Sequence, residues 1–119
     1  MAIIELNADN FKDTIEGNDT VLMDFWAGWC GPCMRFAPIF EAASEKFEDV
    51  TFAKLDTEAE RDVAAALEIQ SIPTLMAFRG GYLVYREAGA LSGKQFESLI
   101  EQIRALDIEE LKKQASAAE

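Results

Sequence analysis

Residues 24–33 read Asp-Phe-Trp-Ala-Gly-Trp-Cys-Gly-Pro-Cys, and a nearly continuous apolar run over residues 20–27 leads into them. Such a run is typical of a β-strand covered on both faces. Beyond this stretch, apolar residues recur at the spacing of one helix face, at Phe36, Phe40, Ala43 and Phe47. The sequence therefore predicts a buried strand, a tight loop that carries two cysteines, and a long helix that starts beside them.

The rest of the chain alternates short strand-like runs with helical patterns. Strands are predicted over residues 3–6, 20–27, 50–56, 74–78 and 82–86. Helices are predicted over residues 10–16, after Cys33 with a kink at Pro38, over 60–67, and from a capping box of Ser92 and Gln95. Helix crossovers join parallel strands, and a hairpin at residues 79–81 adds an antiparallel one. We therefore expect an α/β fold with a central mixed sheet of five strands, flanked by helices on both faces.

Length and charge narrow the function. The 119 residues fit one domain, and 22 acidic against 11 basic residues give a net charge of −11. This charge repels phosphates and anionic lipid, so binding to nucleic acid or to a membrane surface is disfavoured. The simplest explanation of the negative charge is that it keeps the protein soluble. Residues 1–5 lack a secretory pattern and no segment has the ~20 apolar residues of a membrane helix. We expect a cytoplasmic monomer, unless a leader was removed before residue 1.

The two cysteines are the candidate reactive groups. Cys30 and Cys33 are separated by two residues at a predicted helix start, where a disulfide can close and where the helix dipole favours the thiolate. Cys30 precedes the first turn, so we expect it to be exposed and to attack a substrate disulfide. Cys33 lies one turn inside, should be more buried, and would resolve the mixed disulfide. Pro32 suits the first helical position, and Gly31 leaves room for a partner's backbone.

The cysteine pair has two alternative interpretations that involve no redox chemistry. A zinc site needs about four ligands, and the chain offers no histidine and no further cysteine. The second alternative is an inert pair of buried thiols. It is disfavoured because the neighbouring Trp29, Gly31 and Pro32 are more typical of an active site than of a hydrophobic core. We therefore expect a redox-active disulfide and no bound metal or cofactor.

Residues 24–33 resemble the active-site signature of the thioredoxin family. Five later segments resemble the same family in the same order: its kinked helix (37–38), central strand (54–56), cis-proline loop (71–74), late hairpin (78–81) and substrate-facing loop (89–91). A Cys-x-x-Cys motif alone is weak, but these segments together span residues 1–105 in register. The resemblance implies a thioredoxin fold over residues 1–105, with Pro73 in a cis peptide facing the cysteines.

The same resemblance implies a function and its partners. It implies a protein-disulfide reductase and electron carrier that is recycled by an NADPH-dependent thioredoxin reductase. It also implies an apolar patch that docks disulfide-containing substrate proteins, formed by Trp29, Ile72, Pro73, Gly89 and Ala90. Residues 106–119 lie outside the minimal family domain. They form either a short helix that Asp107 caps or a disordered tail.

Asp24 stands inside an apolar run, where a charged group is costly unless it is paired or protonated. Desolvation should raise its pKa, which suits a base that works near neutral pH. The resemblance makes Asp24 the proton acceptor for Cys33, through water, with Lys54 as electrostatic support. The alternatives are an ordinarily solvated aspartate at a strand end and an ordinary surface lysine.

One departure from the family and two other functions remain open. Met34 follows Cys33, where the family usually carries a lysine or another polar residue, which should weaken thiolate stabilisation slightly and alter reductase docking. A disulfide oxidase or isomerase is the second hypothesis, although relatives of that kind tend to carry histidine where this chain has Gly31-Pro32. A redox-independent binding module is the third, because intact cysteines do not exclude it.

Overall fold

The computed structural model describes residues 2–118. Within them the strands are β1 (Ile4–Glu5), β2 (Thr20–Trp26), β3 (Thr51–Asp56), β4 (Thr74–Arg79) and β5 (Tyr82–Ala88). The helices are α1 (Phe11–Glu16), α2 (Gly31–Lys46), α3 (Arg61–Ala66), α4 (Gly93–Arg104) and α5 (Ile108–Ala118). No helix among these residues is long and apolar enough to span a membrane.

The strands form one mixed sheet in the order β1-β3-β2-β4-β5. β3 pairs in parallel with β1 and β2, whereas β4 pairs antiparallel with β2 and β5. Strand β2 therefore lies at the centre, with partners on both sides, which explains its continuous apolar run. The predicted five-stranded α/β fold is confirmed.

Alternate residues of the strands divide the core between the two faces of the sheet. One face packs against α2 and α4, mainly through aromatic rings at Phe36, Phe40, Phe52 and Phe96, whose neighbouring centroids lie 5.1–6.4 Å apart. The other face packs against α1 and α3. Each large buried side chain contributes roughly 1.5–3 kcal/mol, so the four rings hold α2 firmly on the sheet.

Local signals in the sequence explain where helices begin. The capping box of α4 is confirmed, since the Ser92 hydroxyl accepts from the Gln95 N–H and the Gln95 side chain accepts from the Ser92 N–H. Before α1 the Asn7 and Asn10 side chains accept from each other's N–H groups. Helix α2 continues through Pro38, because the other turns of the helix keep their backbone hydrogen bonds and the helix keeps its buried apolar face.

Beyond residue 105 the chain forms helix α5, which is fastened to the hairpin between β4 and β5. The Asp107 carboxylate accepts from the Glu110 N–H at 3.2 Å, a cap at the start of α5. Arg79 Nε donates to the Leu106 carbonyl at 3.0 Å. The Ile108 side chain lies against Gly80, so that a Cβ placed on Gly80 would stand 2.6 Å from Ile108 Cγ2.

Alanine substitutions at the two glycines of the hairpin distinguish the effect of backbone strain from the effect of contact with α5. Gly80 and Gly81 have φ of +61° and +89°, and a Cβ on Gly81 would meet no atom within 4 Å. We expect Gly80→Ala to lower the free energy of unfolding by about 1–2 kcal/mol more than Gly81→Ala, because only the former meets Ile108. Urea unfolding measures the difference. In an Ile108→Ala background most of the excess should disappear, because only the contact with the Cβ of residue 108, at 3.3 Å, remains. An undiminished excess there would contradict docking of α5 on the hairpin.

Candidate active site

Helix α2 begins at the cysteine pair. Cys30 is the N-cap residue, with extended backbone angles, and its Sγ accepts from the Cys33 N–H at 3.2 Å. The two sulfurs form a disulfide, with the Cα atoms 5.2 Å apart. Pro32 is the second helical residue and not the first, but its missing N–H would be unpaired in either position. The disulfide thus closes across the first turn of α2.

The expected exposure of Cys30 is wrong for this oxidised form. Cys30 is 4% exposed and Cys33 is 1% exposed, so burial hardly distinguishes them. Cys30 packs in a small cluster with Ala27 and with part of Ile72, and its Sγ lies 3.7 Å from the Ile72 carbonyl oxygen. The two cysteines therefore differ in their position on the helix rather than in their exposure.

The loop before β4 lies against the disulfide. Its Ile72–Pro73 peptide bond is cis, as the family resemblance implied. The Gly89 N–H donates to the Pro73 carbonyl at 2.7 Å, so the segment that follows β5 joins the same surface. Gly89 has φ of +108°, a backbone conformation that favours glycine. Ala90 is exposed directly after it.

Two exposed apolar side chains border the cysteines. Trp29 is 71% exposed, and it lines a cavity of about 360 Å³ together with Ile69 and Ile72. Met34 is 41% exposed on the first turn of α2. An apolar ring held in solvent beside a disulfide is typical of a surface that binds another protein.

Asp24 is fully buried in β2, and its carboxylate oxygens have no hydrogen-bond partner among residues 2–118. Burial raises its pKa from the ordinary 3.8 to about 6, and the charge of Lys54 opposes this rise. The alternative of an ordinarily solvated aspartate is therefore wrong. Asp24 alternates with Leu22 along β2, so it faces the side of the sheet that α2 covers.

Lys54 lies beside Asp24, because the two residues are register partners in the β2–β3 pair. Its side chain is half-buried, and its Nζ lies 4.8 Å from the centroid of the Trp26 ring. Trp26 was missed as a site residue in the sequence. The signal was present, since residues two apart on a strand share one face, and Trp26 follows Asp24 by two.

These features define a thiol–disulfide exchange protein: a disulfide at the N-terminus of a helix that follows the central strand, opposite a cis-proline loop. Among residues 2–118, no group of three or more His, Cys, Asp or Glu side chains lies together as metal ligands would. The thioredoxin family model matches residues 2–104, and the chain belongs to that family. It is a thiol–disulfide oxidoreductase whose redox group is the Cys30–Cys33 pair.

Relatives and solved structures agree with this assignment. The putative thioredoxin 2 of Streptomyces coelicolor is 46% identical over 92% of this chain and 82% of its own. The bifunctional thioredoxin reductase/thioredoxin of Mycobacterium leprae is 45% identical over 71% of this chain and 19% of its own. A mutant thioredoxin of Halobacterium salinarum has a solved structure with a TM-score of 0.80 at 30% identity, covering 90% of this chain and 98% of its own.

The buried carboxylate makes stability depend on pH. Because the Asp24 pKa is raised from 3.8 to about 6, ionisation costs nothing below pH 3.8 and costs increasingly more as the pH rises toward 6. Above pH 6 the cost levels off at about 3 kcal/mol. Asp24→Asn should therefore raise the free energy of unfolding of the oxidised protein by about 1–3 kcal/mol at pH 8 and change it little at pH 3.5.

Denaturant unfolding at both pH values measures this effect, with the exposed Asp9→Asn as the matched control. If Asp24→Asn leaves the difference between pH 3.5 and pH 8 as it is in the parent chain, Asp24 does not carry the buried charge.

Proposed function

We propose that this chain reduces disulfide bonds in other proteins, with Cys30 as the nucleophile and Cys33 as the resolving cysteine. One observation carries the proposal: the Cys30 sulfur occupies the N-cap of α2, where it accepts the Cys33 N–H. A sulfur in that position gains most from the unpaired N–H groups and the helix dipole, both of which stabilise a thiolate. Cys33 lies inside the helix and gains less.

The reaction proceeds in two exchanges. In the reduced chain the Cys30 thiolate attacks one sulfur of the substrate disulfide; that bond breaks, and the departing sulfur leaves as a thiolate that takes up a proton. The Cys33 thiol then gives its proton to a base, and its thiolate attacks the Cys30 sulfur. The mixed disulfide breaks and the second substrate sulfur leaves. Two electrons have passed to the substrate, and the Cys30–Cys33 disulfide has formed.

Asp24 is the proposed proton acceptor for Cys33, through a water molecule, and Lys54 is its electrostatic support. The proposal is supported by a buried carboxylate without a hydrogen-bond partner among residues 2–118 and with a pKa of about 6. A base whose pKa lies near the working pH is partly ionised and still accepts a proton readily. Lys54 keeps the ionised form accessible despite burial, since its charge lowers the Asp24 pKa.

The proposed docking patch for substrate proteins consists of Trp29, Ile72, Pro73, Gly89 and Ala90. The exposed Trp29 ring offers apolar contact. The hydrogen bond from the Gly89 N–H to the Pro73 carbonyl keeps two segments of the patch together. The backbone of Ile72 would pair with an extended substrate segment, as in other forms of strand addition. Gly31 and Pro32, both exposed, leave the approach to Cys30 open.

An NADPH-dependent thioredoxin reductase is the proposed electron donor. The relative from Mycobacterium leprae, a bifunctional thioredoxin reductase/thioredoxin, supports this partner. NADPH then acts only through the reductase, and the chain itself binds no cofactor. We further propose a cytoplasmic monomer that binds neither nucleic acid nor membranes, in keeping with a net charge of −11. Residues 1–105 form the thioredoxin domain, and residues 106–119 form an extension.

The cysteine roles predict which variant accumulates a covalent intermediate. Cys33→Ser should form a stable mixed disulfide with a protein substrate through Cys30, because no resolving thiol remains. Cys30→Ser should form little, since Cys33 lies inside the helix. Non-reducing electrophoresis and mass spectrometry after incubation with oxidised insulin measure the adduct. Trapping by Cys30→Ser but not by Cys33→Ser would reverse the assigned roles.

The proton-acceptor role predicts a kinetic effect confined to the second exchange. Asp24→Asn should slow release of the mixed disulfide at pH 7 by about tenfold or more, because Cys33 loses its base. Attack by Cys30 should keep its rate. Stopped-flow mixing of the reduced chain with a disulfide protein resolves the two steps. Equal release rates in Asp24→Asn and the parent chain would remove Asp24 from the reaction.

A further inference from the structure

We propose that Trp26 is a positioning residue, whose ring holds the Lys54 ammonium beside Asp24 and keeps that charge from the carboxylates of the neighbouring cleft. The inference rests on the proposed function, in which Asp24 accepts the Cys33 proton. It adds a residue to the site and a control over the pH at which that proton is accepted.

The contact between the ring and the ammonium brings three residues of two strands together. Asp24 and Trp26 lie two residues apart on β2, and Lys54 is the register partner of Asp24 on β3. Lys54 Nζ stands 4.8 Å from the Trp26 ring centroid, within the roughly 6 Å of a cation–π contact. Tryptophan is the strongest partner for such a contact, and the attraction grows when the pair is partly withdrawn from water, as it is here.

The cleft around this contact is acidic. It has a volume of about 600 Å³, and Trp26 and Lys54 line it together with Glu5, Glu41, Asp56 and Glu60. Within residues 2–118, no carboxylate oxygen lies within 4.0 Å of the Lys54 nitrogen, although each of these side chains would attract it. The Asp24 oxygens are also beyond that distance, so Lys54 acts on Asp24 through its charge and not as a direct ion-pair partner. The close partner that the structure gives the ammonium is therefore the indole ring.

Asp24 depends on this charge more than an exposed carboxylate would. Its two oxygens have no hydrogen-bond partner among the described residues, so nearby charge stabilises its ionised form. In the oxidised protein the titratable or charged groups on the surrounding elements are Glu5 on β1, Glu41 on α2, Lys54 and Asp56 on β3, and Glu60 before α3; Cys33 on α2 is held in the disulfide. On β4, the register partner of Asp24 is the uncharged Leu75. Lys54 is the cation of this group.

Loss of the ring has a defined direction. Without Trp26, the flexible lysine is drawn toward the cleft carboxylates and water, where a charge is better solvated than beside Asp24. The ionised form of Asp24 then loses stabilisation, and its titration moves to higher pH. If the ring acted merely as a shield against water, its removal would hydrate Asp24 and move the titration to lower pH.

A carbon-13 NMR titration of the Asp24 carboxyl group in the oxidised protein tests the proposal, with Asp24→Asn identifying the signal. We expect the midpoint to rise by about 0.5 pH unit in Trp26→Leu, by at least as much in Lys54→Met, and by less in Trp26→Phe, which keeps a ring. In the Lys54→Met background, Trp26→Leu should add nothing. A lower midpoint, or a shift that persists without Lys54, would overturn the proposal.

Fluorinated tryptophan gives the same test without removing the ring, should Trp26→Leu fold poorly. Fluorine weakens the ring's attraction for a cation with little change in shape, and a Trp29→Phe background confines the label to Trp26. The Asp24 midpoint should rise with the number of fluorines and should not respond once Lys54 is replaced by methionine. An unchanged midpoint across the fluorinated series overturns the inference.

The titration is measured without substrate, so it is independent of the test of the proposed function. If Asp24→Asn fails to slow mixed-disulfide release, the proposed role of Asp24 is wrong whatever Trp26 does. If release does depend on Asp24, its pH profile should move by the same amount as the Asp24 midpoint in Trp26→Phe and Trp26→Leu. A shifted midpoint with an unshifted profile overturns the link between Trp26 and Cys33.

Discussion

The packing of helix α2 against the central strands places the reactive sulfur. Phe36 and Phe40 on α2 meet Phe52 and Phe96 in a buried aromatic cluster, so the helix axis cannot tilt or slide without opening the core. Because only four residues separate the end of β2 from the start of α2, the first turn of the helix lies at the carboxyl end of this central strand, with Cys30 as its N-cap residue. A core contact thus decides where the helix dipole and its free N–H groups act, and the chemistry of the thiol follows from that placement.

The face of the sheet that α2 covers also holds a carboxylate that lowers the stability of the fold. Asp24 occupies a core position, without a hydrogen-bond partner among residues 2–118, where an apolar side chain would add stability. The surrounding core is large enough to offset a charge that becomes costly at neutral pH. A residue that lowers the stability of the fold is expected at functional sites more than elsewhere, because its chemistry is needed there. The buried carboxylate is thus better explained by chemistry than by packing.

Local patterns in the sequence predicted most of the fold, and long-range contacts account for what they missed. Alternation and helical spacing located the strands and the main helices, and Ser92 with Gln95 marked the start of α4. The burial of Cys30 depends on Ile72, which lies 42 residues away, and no local pattern reports such a contact. The seat of α5 on Gly80 likewise joins distant segments. The cis bond at Pro73 was predicted by family resemblance alone, since most X–Pro bonds are trans.

The distribution of charge bears on the docking of substrate proteins that we propose. Its net charge of −11 would bias recognition toward basic partners if charges surrounded the cysteines. Instead, the proposed docking patch consists of uncharged residues, and the exposed Met34 on the first turn of α2 extends the apolar surface. In the proposed docking, apolar contact and pairing with the Ile72 backbone would depend on the backbone of an extended segment more than on its side chains. Lys54 lies against the Trp26 ring, and its charge lowers the pKa of the buried Asp24. The Arg35 guanidinium, which lies near Gly31, is a separate cation beside the cysteine loop.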